Sequence, residues 1–252
     1  MELSSEIPQS VLLAARLRYF WTLVVAATCF LILGIPVVLI GYPLRAIFGI
    51  EDVVFPFAKF GARLYLRAAG ARVIVSGRDY LADDETYLFV ANHQSNLDPP
   101  MIFCYVGQNV GALAKKELRR VPVLGQGMAL AHIIPIDRSN RERAIESTRA
   151  GAAELHRGHS LMAFPEGTRS PDGRMREFKK GAFFMALEAG VRIVPIAING
   201  TRLVMPKGRS VSIPGTVSLE ILPPINTLGW DATEISGLVE KVSSAIRERV
   251  MA

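Results

Sequence analysis

The chain has 252 residues, half of them hydrophobic, with Lys+Arg 29 against Asp+Glu 23. Such a composition excludes a disordered or low-complexity chain, which lacks the apolar area to offset ordering entropy. The length fits one large domain or a domain with an appendage. The positive charge is concentrated: residues 112–180 carry a net +6, against −1 before them and +1 after. A field of that kind attracts phosphate, lipid headgroups or nucleic acid.

Residues 19–44 form a run of 26 without a charge, bounded by Arg18 and Arg45. About 20 apolar residues cross a bilayer as a helix, so the run is long enough to span. A signal peptide and a buried core helix compete with that reading. The apolar core of a signal peptide is shorter, about 7–15 residues with a small-residue cleavage site behind it. Pro36 predicts a break into two short helices that enter and leave one leaflet. Residues 1–50 are therefore assigned to an N-terminal membrane anchor, a helical hairpin or a single span, and residues 51–252 to an α/β domain. Apolar spacing predicts a helix over 52–70, whose Lys59, Arg63 and Arg67 repeat every four residues. That basic face suits an anionic membrane surface and equally a surface helix of the domain.

From residue 71 short β-rich runs alternate with helical ones. Strands are expected at 72–76, 86–91, 110–114, 133–136, 161–164, 192–198 and 217–221. Helices are expected at 98–105, 141–156, 179–188 and 231–250. The alternation implies an α/β domain, a sheet flanked by helices.

Several strands end in polar blocks, where α/β folds expose functional side chains. The first block is Asn92-His93-Gln94-Ser95-Asn96-Leu97-Asp98. An imidazole titrates near neutrality and can accept a proton in a transition state. Asp98, folded back, can fix its tautomer; followed by Pro99-Pro100 it is also a natural helix cap. The second block is Ile133-Ile134-Pro135-Ile136-Asp137-Arg138, and the third is Pro165-Glu166-Gly167-Thr168-Arg169. An Arg at a strand exit presents a planar fork for phosphate, and Gly167 allows close backbone approach; a surface charge and a plain turn are the alternatives. The fourth, Val194-Pro195-Ile196-Ala197-Ile198, is a strand walling the site, and Lys115-Lys116 puts two ammonium groups after another strand.

These four blocks, in this order, resemble the lysophosphatidic acid acyltransferase family (1-acyl-glycerol-3-phosphate O-acyltransferases) of the glycerolipid acyltransferase superfamily. The resemblance covers residues 86–198. It implies a mixed sheet flanked by helices, and a catalytic His93–Asp98 pair. It also implies that Arg138, Glu166, Gly167, Thr168, Arg169 and Lys115 serve the acceptor phosphate. The implied reaction moves a fatty acyl group from an acyl thioester (acyl-CoA or acyl-carrier protein) to the sn-2 hydroxyl of lysophosphatidic acid. The implied setting is the cytoplasmic membrane with the catalytic domain facing the cytoplasm; the implied partners are lysophospholipid, acyl donor and membrane, with no nucleic acid. The second block departs from the family, which often has Gly at its start and Phe before Ile-Asp-Arg; here Ala131-His132 and Pro135 stand there. A relative using glycerol-3-phosphate or a lyso-aminolipid, and an inactive lipid-binding protein, remain alternative readings.

Other chemistries find no support. Neither a Gly-x-Ser-x-Gly elbow nor a Walker loop nor His-Glu-x-x-His is present. His156 and His159 have no third ligand nearby in sequence, so no metal and no cofactor is expected. Cys29 and Cys104 sit in apolar settings that disfavour a thiolate.

Overall fold

Strand β2 (Tyr87–Ala91) is apolar at every position and fully buried, which a strand tolerates only with both faces covered. In the computed structural model, which describes residues 9–137 and 141–251, β2 lies at the centre of a seven-stranded sheet. The other strands are β1 (Ala71–Ser76), β3 (Val110–Lys115), β4 (Ile133–Ile136), β5 (Ser160–Ala163), β6 (Arg192–Asn199) and β7 (Gly215–Ile221), in the order β1-β7-β6-β2-β5-β3-β4. Five of them, β2 to β6, run parallel. β7 is antiparallel to β6 and carries β1 parallel beside it. Seven strands stand where seven are expected, within two residues.

Two apolar layers cover the sheet. Tyr87, Phe89 and Ala91 point to the layer holding Leu66 of α3 (Val54–Ala68) and Met101 and Ile102 of α4 (Asp98–Tyr105). Leu88 and Val90 point to the opposite layer, which holds Phe183 of α7 (Gly181–Ala189) and Leu238 and Val242 of α9 (Ile235–Arg247). α6 (Arg141–His156) adds Leu155 to that layer. Between β3 and β4 runs the short α5 (Leu124–Leu130), which apolar spacing does not reveal.

The N-terminal segment corrects the expected break at Pro36. α1 (Gln9–Cys29) and α2 (Ile35–Phe48) join through a π-turn, Phe30–Gly34, into one continuous helical stretch of 40 residues. The wider π-turn just ahead of Pro36 absorbs the missing N–H, and the residues flanking it keep right-handed helical dihedrals. The chain reverses later, at Gly49 (φ 67°), and α3 returns alongside α1. Ser212 holds the two ends of this hairpin together: its N–H donates to Ala15 O at 2.9 Å and its Oγ to Ala69 O at 2.7 Å. At the other end Tyr42 Oη donates to Gln126 O and Arg45 to Ala129 O, both on α5. The long helix is thus tied to the α/β domain at both ends and lies along it. Its outer face is apolar, with Leu17, Trp21, Leu31, Ile32 and Ile47 among its exposed side chains. The basic face of α3 is not left wholly open either, because Lys59 Nζ donates to Gln108 O and Asn109 Oδ1.

Beyond Ala91 the ladder between β2 and β6 is continued by a side chain. Asn92, buried, donates through Nδ2 to Ile198 O and accepts the Ile198 N–H, both at 2.8 Å. Asn92→Ala orphans two buried backbone groups, each worth about 1–3 kcal/mol. A thermal unfolding scan should show Tm lowered by several degrees; an unchanged Tm would show that the clamp is dispensable.

Candidate active site

The strand order β6-β2-β5 brings the carboxyl ends of three central strands side by side, so the block after β2 meets the block after β5. His93 is held from several directions. Its N–H donates to Glu166 Oε1 at 2.7 Å, its carbonyl accepts from Ser170 N at 2.7 Å, and its ring stacks on Phe164 at 4.3 Å. Nδ1 lies 2.8 Å from Asp98 Oδ2. That same oxygen accepts the N–H groups of Gln94 (2.6 Å) and Ser95 (2.7 Å). Asp98 is the first residue of α4, and its carboxylate turns back onto the preceding loop instead of capping the helix. The next two residues, Pro99 and Pro100, have no N–H to offer it.

An ionised carboxylate so placed takes the Nδ1–H of a neutral imidazole. The lone pair is then on Nε2, the atom free to accept a proton from a substrate. The His93 side chain is 17% exposed and Asp98 fully buried, so a ligand reaches the ring and not its partner. The second carboxylate oxygen of Asp98 is buried without a hydrogen-bond partner.

Glu166 is turned to backbone groups. It is buried, and its two oxygens accept the backbone N–H groups of His93 and Arg176 (3.0 Å). Burial raises its pKa, opposed by those two hydrogen bonds. The structure places it as a strut between the His93 loop and the β5–α7 loop. Gly167 adopts φ +74°, and a Cβ there would crowd Lys179 Nζ at 3.2 Å. Thr168 is exposed, and its Oγ1 accepts from Lys207 Nζ at 3.2 Å; the same ammonium donates to Arg169 O at 2.7 Å. The Arg169 side chain is half-buried, and its positive charge opposes the rise of the Tyr65 pKa to about 12 that burial causes.

One expected anion ligand is not brought into this group. Lys115 is exposed at the end of β3, two strands from β2, with its ammonium 3.7 Å from Glu117. Arg138 lies outside the described residues. Next to it, Asp137 is held by Lys116 at 2.6 Å and Arg143 at 3.4 Å. Lys179 and Lys207 are the residues that sequence reasoning missed. Lys207 sits in an irregular Pro206-Lys207-Gly208 loop that nothing in the sequence distinguishes from a solvated lysine.

Beside the His93 loop opens an apolar cavity of about 480 Å³. Asn96, Pro99 and Pro100 of that loop, Tyr65 and Gly61 of α3, and Leu33 of the π-turn are part of its wall. The N-terminal helix therefore forms one side of the cavity and the His93 loop another. Cys104 is buried, with its thiol pushed up to about 11 by burial, so it offers no nucleophile. Among the described residues one group has metal-ligand chemistry, Glu51, His132 and His159, and it shares nothing with the His93 loop.

A family model described as Acyltransferase matches residues 72–199. The chain is 38% identical over 156 residues to a 1-acyl-sn-glycerol-3-phosphate acyltransferase of Limnanthes alba, covering 62% of this chain and 56% of that protein. To the chloroplastic 1-acyl-sn-glycerol-3-phosphate acyltransferase LPAT1 of Arabidopsis thaliana it is 32% identical over 221 residues, 85% of this chain and 60% of that one. The alignments thus span a little over half the length of these plant relatives. Among solved structures, the crystal structure of a 1-acyl-sn-glycerophosphate acyltransferase from Thermotoga maritima is similar over 94% of this chain and 95% of that one. Its TM-score is 0.81 at 28% identity.

The strut role of Glu166 makes a prediction. In Glu166→Gln the amide NH₂ must face one of two N–H donors, leaving it unpaired at a cost of about 1–3 kcal/mol. Tm should fall by several degrees with the overall fold retained by circular dichroism. If Glu166 served only a ligand, Tm would stay put.

Proposed function

This chain belongs to the 1-acyl-sn-glycerol-3-phosphate acyltransferase family, and we propose that it transfers a fatty acyl group from an acyl thioester to the sn-2 hydroxyl of lysophosphatidic acid. One observation carries the reading. A buried carboxylate sets His93 as a base with Nε2 available, on a loop that also walls an apolar cavity.

The reaction follows from that arrangement. Nε2 of His93 accepts the proton of the acceptor hydroxyl as its oxygen attacks the thioester carbonyl. The imidazolium so formed is stabilised by Asp98, at 2.8 Å and out of water, where a charge pair is strengthened by the low dielectric. Collapse of the tetrahedral intermediate expels the thiolate, which takes the proton back from Nε2. No acyl-enzyme is needed. The oxyanion draws its donors from outside residues 93–95, because their three N–H groups already serve Glu166 and Asp98.

Arg169, with Lys179 and Lys207 around the Gly167–Thr168 turn, supplies the charge for the acceptor phosphate. Tyr65 is at once a cavity wall and a neighbour of Arg169. The anionic end and the acyl end of an amphiphile therefore find their sites side by side. An acyl chain in the cavity is shielded from water, worth about 0.8 kcal/mol per buried CH₂. Arg138 remains a candidate for the same phosphate from the sequence alone. Of the two donors, acyl-CoA and acyl-carrier protein, neither is favoured by an observation.

The apolar outer face of the long helix supports a seat in the membrane. A helix tied to its domain at both ends lies along the bilayer surface more readily than across it. We place both helices of the hairpin in the leaflet next to the catalytic domain, with the cavity opening toward lipid. The cytoplasmic side is proposed on the resemblance alone.

His93→Ala should lower turnover about 10²–10⁴-fold in an assay of labelled acyl thioester with a panel of lyso-acceptors. A variant keeping a tenth of normal turnover would remove His93 as the base. Acyl transfer to glycerol-3-phosphate or a lyso-aminolipid in preference to lysophosphatidic acid would replace the proposed acceptor. Arg169→Ala should raise acceptor KM about 10–100-fold, the loss of about 1.5–3 kcal/mol of charge-assisted contact, with donor KM unchanged. A rise in donor KM instead would turn the site around.

A further inference from the structure

Sequence spacing offers His159 no third ligand, but the fold supplies partners from three other segments. His132, between α5 and β4, adopts a left-handed backbone (φ 52°), a conformation uncommon outside glycine. It stacks on His159, from the α6–β5 turn, with ring centroids 3.7 Å apart. Glu154 of α6 receives both rings on one atom: its Oε2 lies 3.0 Å from Nδ1 of His132 and 2.8 Å from Nδ1 of His159. A carboxylate oxygen only accepts, so each ring presents its N–H at Nδ1. In neutral rings both Nε2 atoms then carry only lone pairs.

Those lone pairs face further negative charge. His159 Nε2 is 3.1 Å from Glu51 Oε2, and His132 Nε2 is 3.8 Å from Asp52 Oδ1. His132 is 5% exposed, and its Nε2 is buried with no hydrogen-bond partner. Two lone pairs aimed at carboxylates need positive charge between them, either protons on both rings or one cation. Two imidazolium rings stacked 3.7 Å apart would repel each other. Arg45 lies at 3.2 Å from the other oxygen of Glu51, and Arg157 at 2.5 Å from the other oxygen of Glu154. Each arginine pairs with the carboxylate oxygen that does not face a histidine. Three carboxylates against two guanidiniums leave the cluster net negative.

We propose that His132, His159 and Glu51, with Asp52 beside them, bind a single divalent transition-metal ion of the zinc class. The ligand atoms of the first three lie within 4.8 Å of one another. Tetrahedral binding at about 2.0–2.1 Å needs them about 3.3 Å apart with both ring planes converging on the ion, so binding would tilt the two rings out of their present stack. Imidazole nitrogen with carboxylate oxygen suits zinc. Glu154 takes the outer position that fixes the tautomer and orientation of metal-bound histidines. The ion joins the α2–α3 turn, which carries Glu51 and Asp52, to the α/β domain. Val54, Ala131 and Ile133, next to these ligands in the chain, line the apolar cavity, so the ion would brace that wall. It takes no part in acyl transfer, and the site stands or falls independently of the proposed reaction.

The test uses the full chain in detergent, stripped with chelator, reloaded with zinc chloride and desalted. Elemental analysis should find one zinc per chain, and Tm should rise with zinc and fall back with chelator. His159→Gln and Glu51→Gln should each lose the bound equivalent, and Glu154→Gln should weaken affinity about 10–100-fold. His93→Ala and His156→Ala, which replace the other two histidines of the chain, should keep it. Glu51 lies in a turn at the protein surface, so its variant is informative even if His159→Gln fails to fold. Less than a tenth of an equivalent in the unmutated protein overturns the proposal. So does zinc that leaves with His93→Ala, or that survives in Glu51→Gln with unchanged affinity.

Discussion

One buried oxygen organises the loop that carries His93. Oδ2 of Asp98 receives the His93 ring and the N–H groups of Gln94 and Ser95. Hydrogen bonds to an ionised acceptor are roughly twice as strong as neutral ones, and here three converge where no water competes. The five-residue spacing from His93 to Asp98 is what lets the loop curl onto the carboxylate. Pro99 and Pro100 complete the device by removing the helix N–H groups that would otherwise compete for it. The ring orientation, its tautomer and the loop conformation are therefore one constraint.

Around that oxygen the neighbouring strands are locked together by polar groups that are themselves buried. Asn92 binds β2 to the end of β6, and Glu166 binds the β2 loop to the loop after β5. Each of these side chains satisfies backbone groups that the strand ladder leaves behind at its end. His93 is thus supported on both sides by central strands, while the cationic groups near it stand on more exposed loops. Such a division suits a rigid reacting centre served by an adaptable binding rim.

The helical hairpin belongs to the same design. Its long helix forms a wall of the apolar cavity and is tied to the α/β domain at Ala15 and again at Tyr42 and Arg45. An exposed apolar face of this extent is unusual on a protein that meets only water. A surface seated in lipid would remove that cost. The segment with the exposed apolar face and the one that walls the cavity are the same.

Much of this was legible in the chain itself, for local reasons. The alternation of apolar strands and amphipathic helices announced the seven strands and the layered α/β fold, because burial on one or both faces writes its period into the residues. The motif of His93 and Asp98 was legible because its partners lie within one loop. What is not local could not be read. Pro36 announces a break, yet the π-turn before it and the packing of α3 keep the helix whole. Glu166 looks like part of a phosphate loop, and only the adjacency of β2 and β5 turns it into a strut. Lys179 and Lys207 acquire meaning only where the fold brings them to the Gly167 turn. His132, His159 and Glu51 come from three separate segments that no spacing rule connects. By itself the sequence determined the strands, the layered α/β class and the residue types of the central loop. The tertiary structure decided which charged groups meet, because contacts between distant segments are set by strand order and helix packing and leave no periodic signal in the chain.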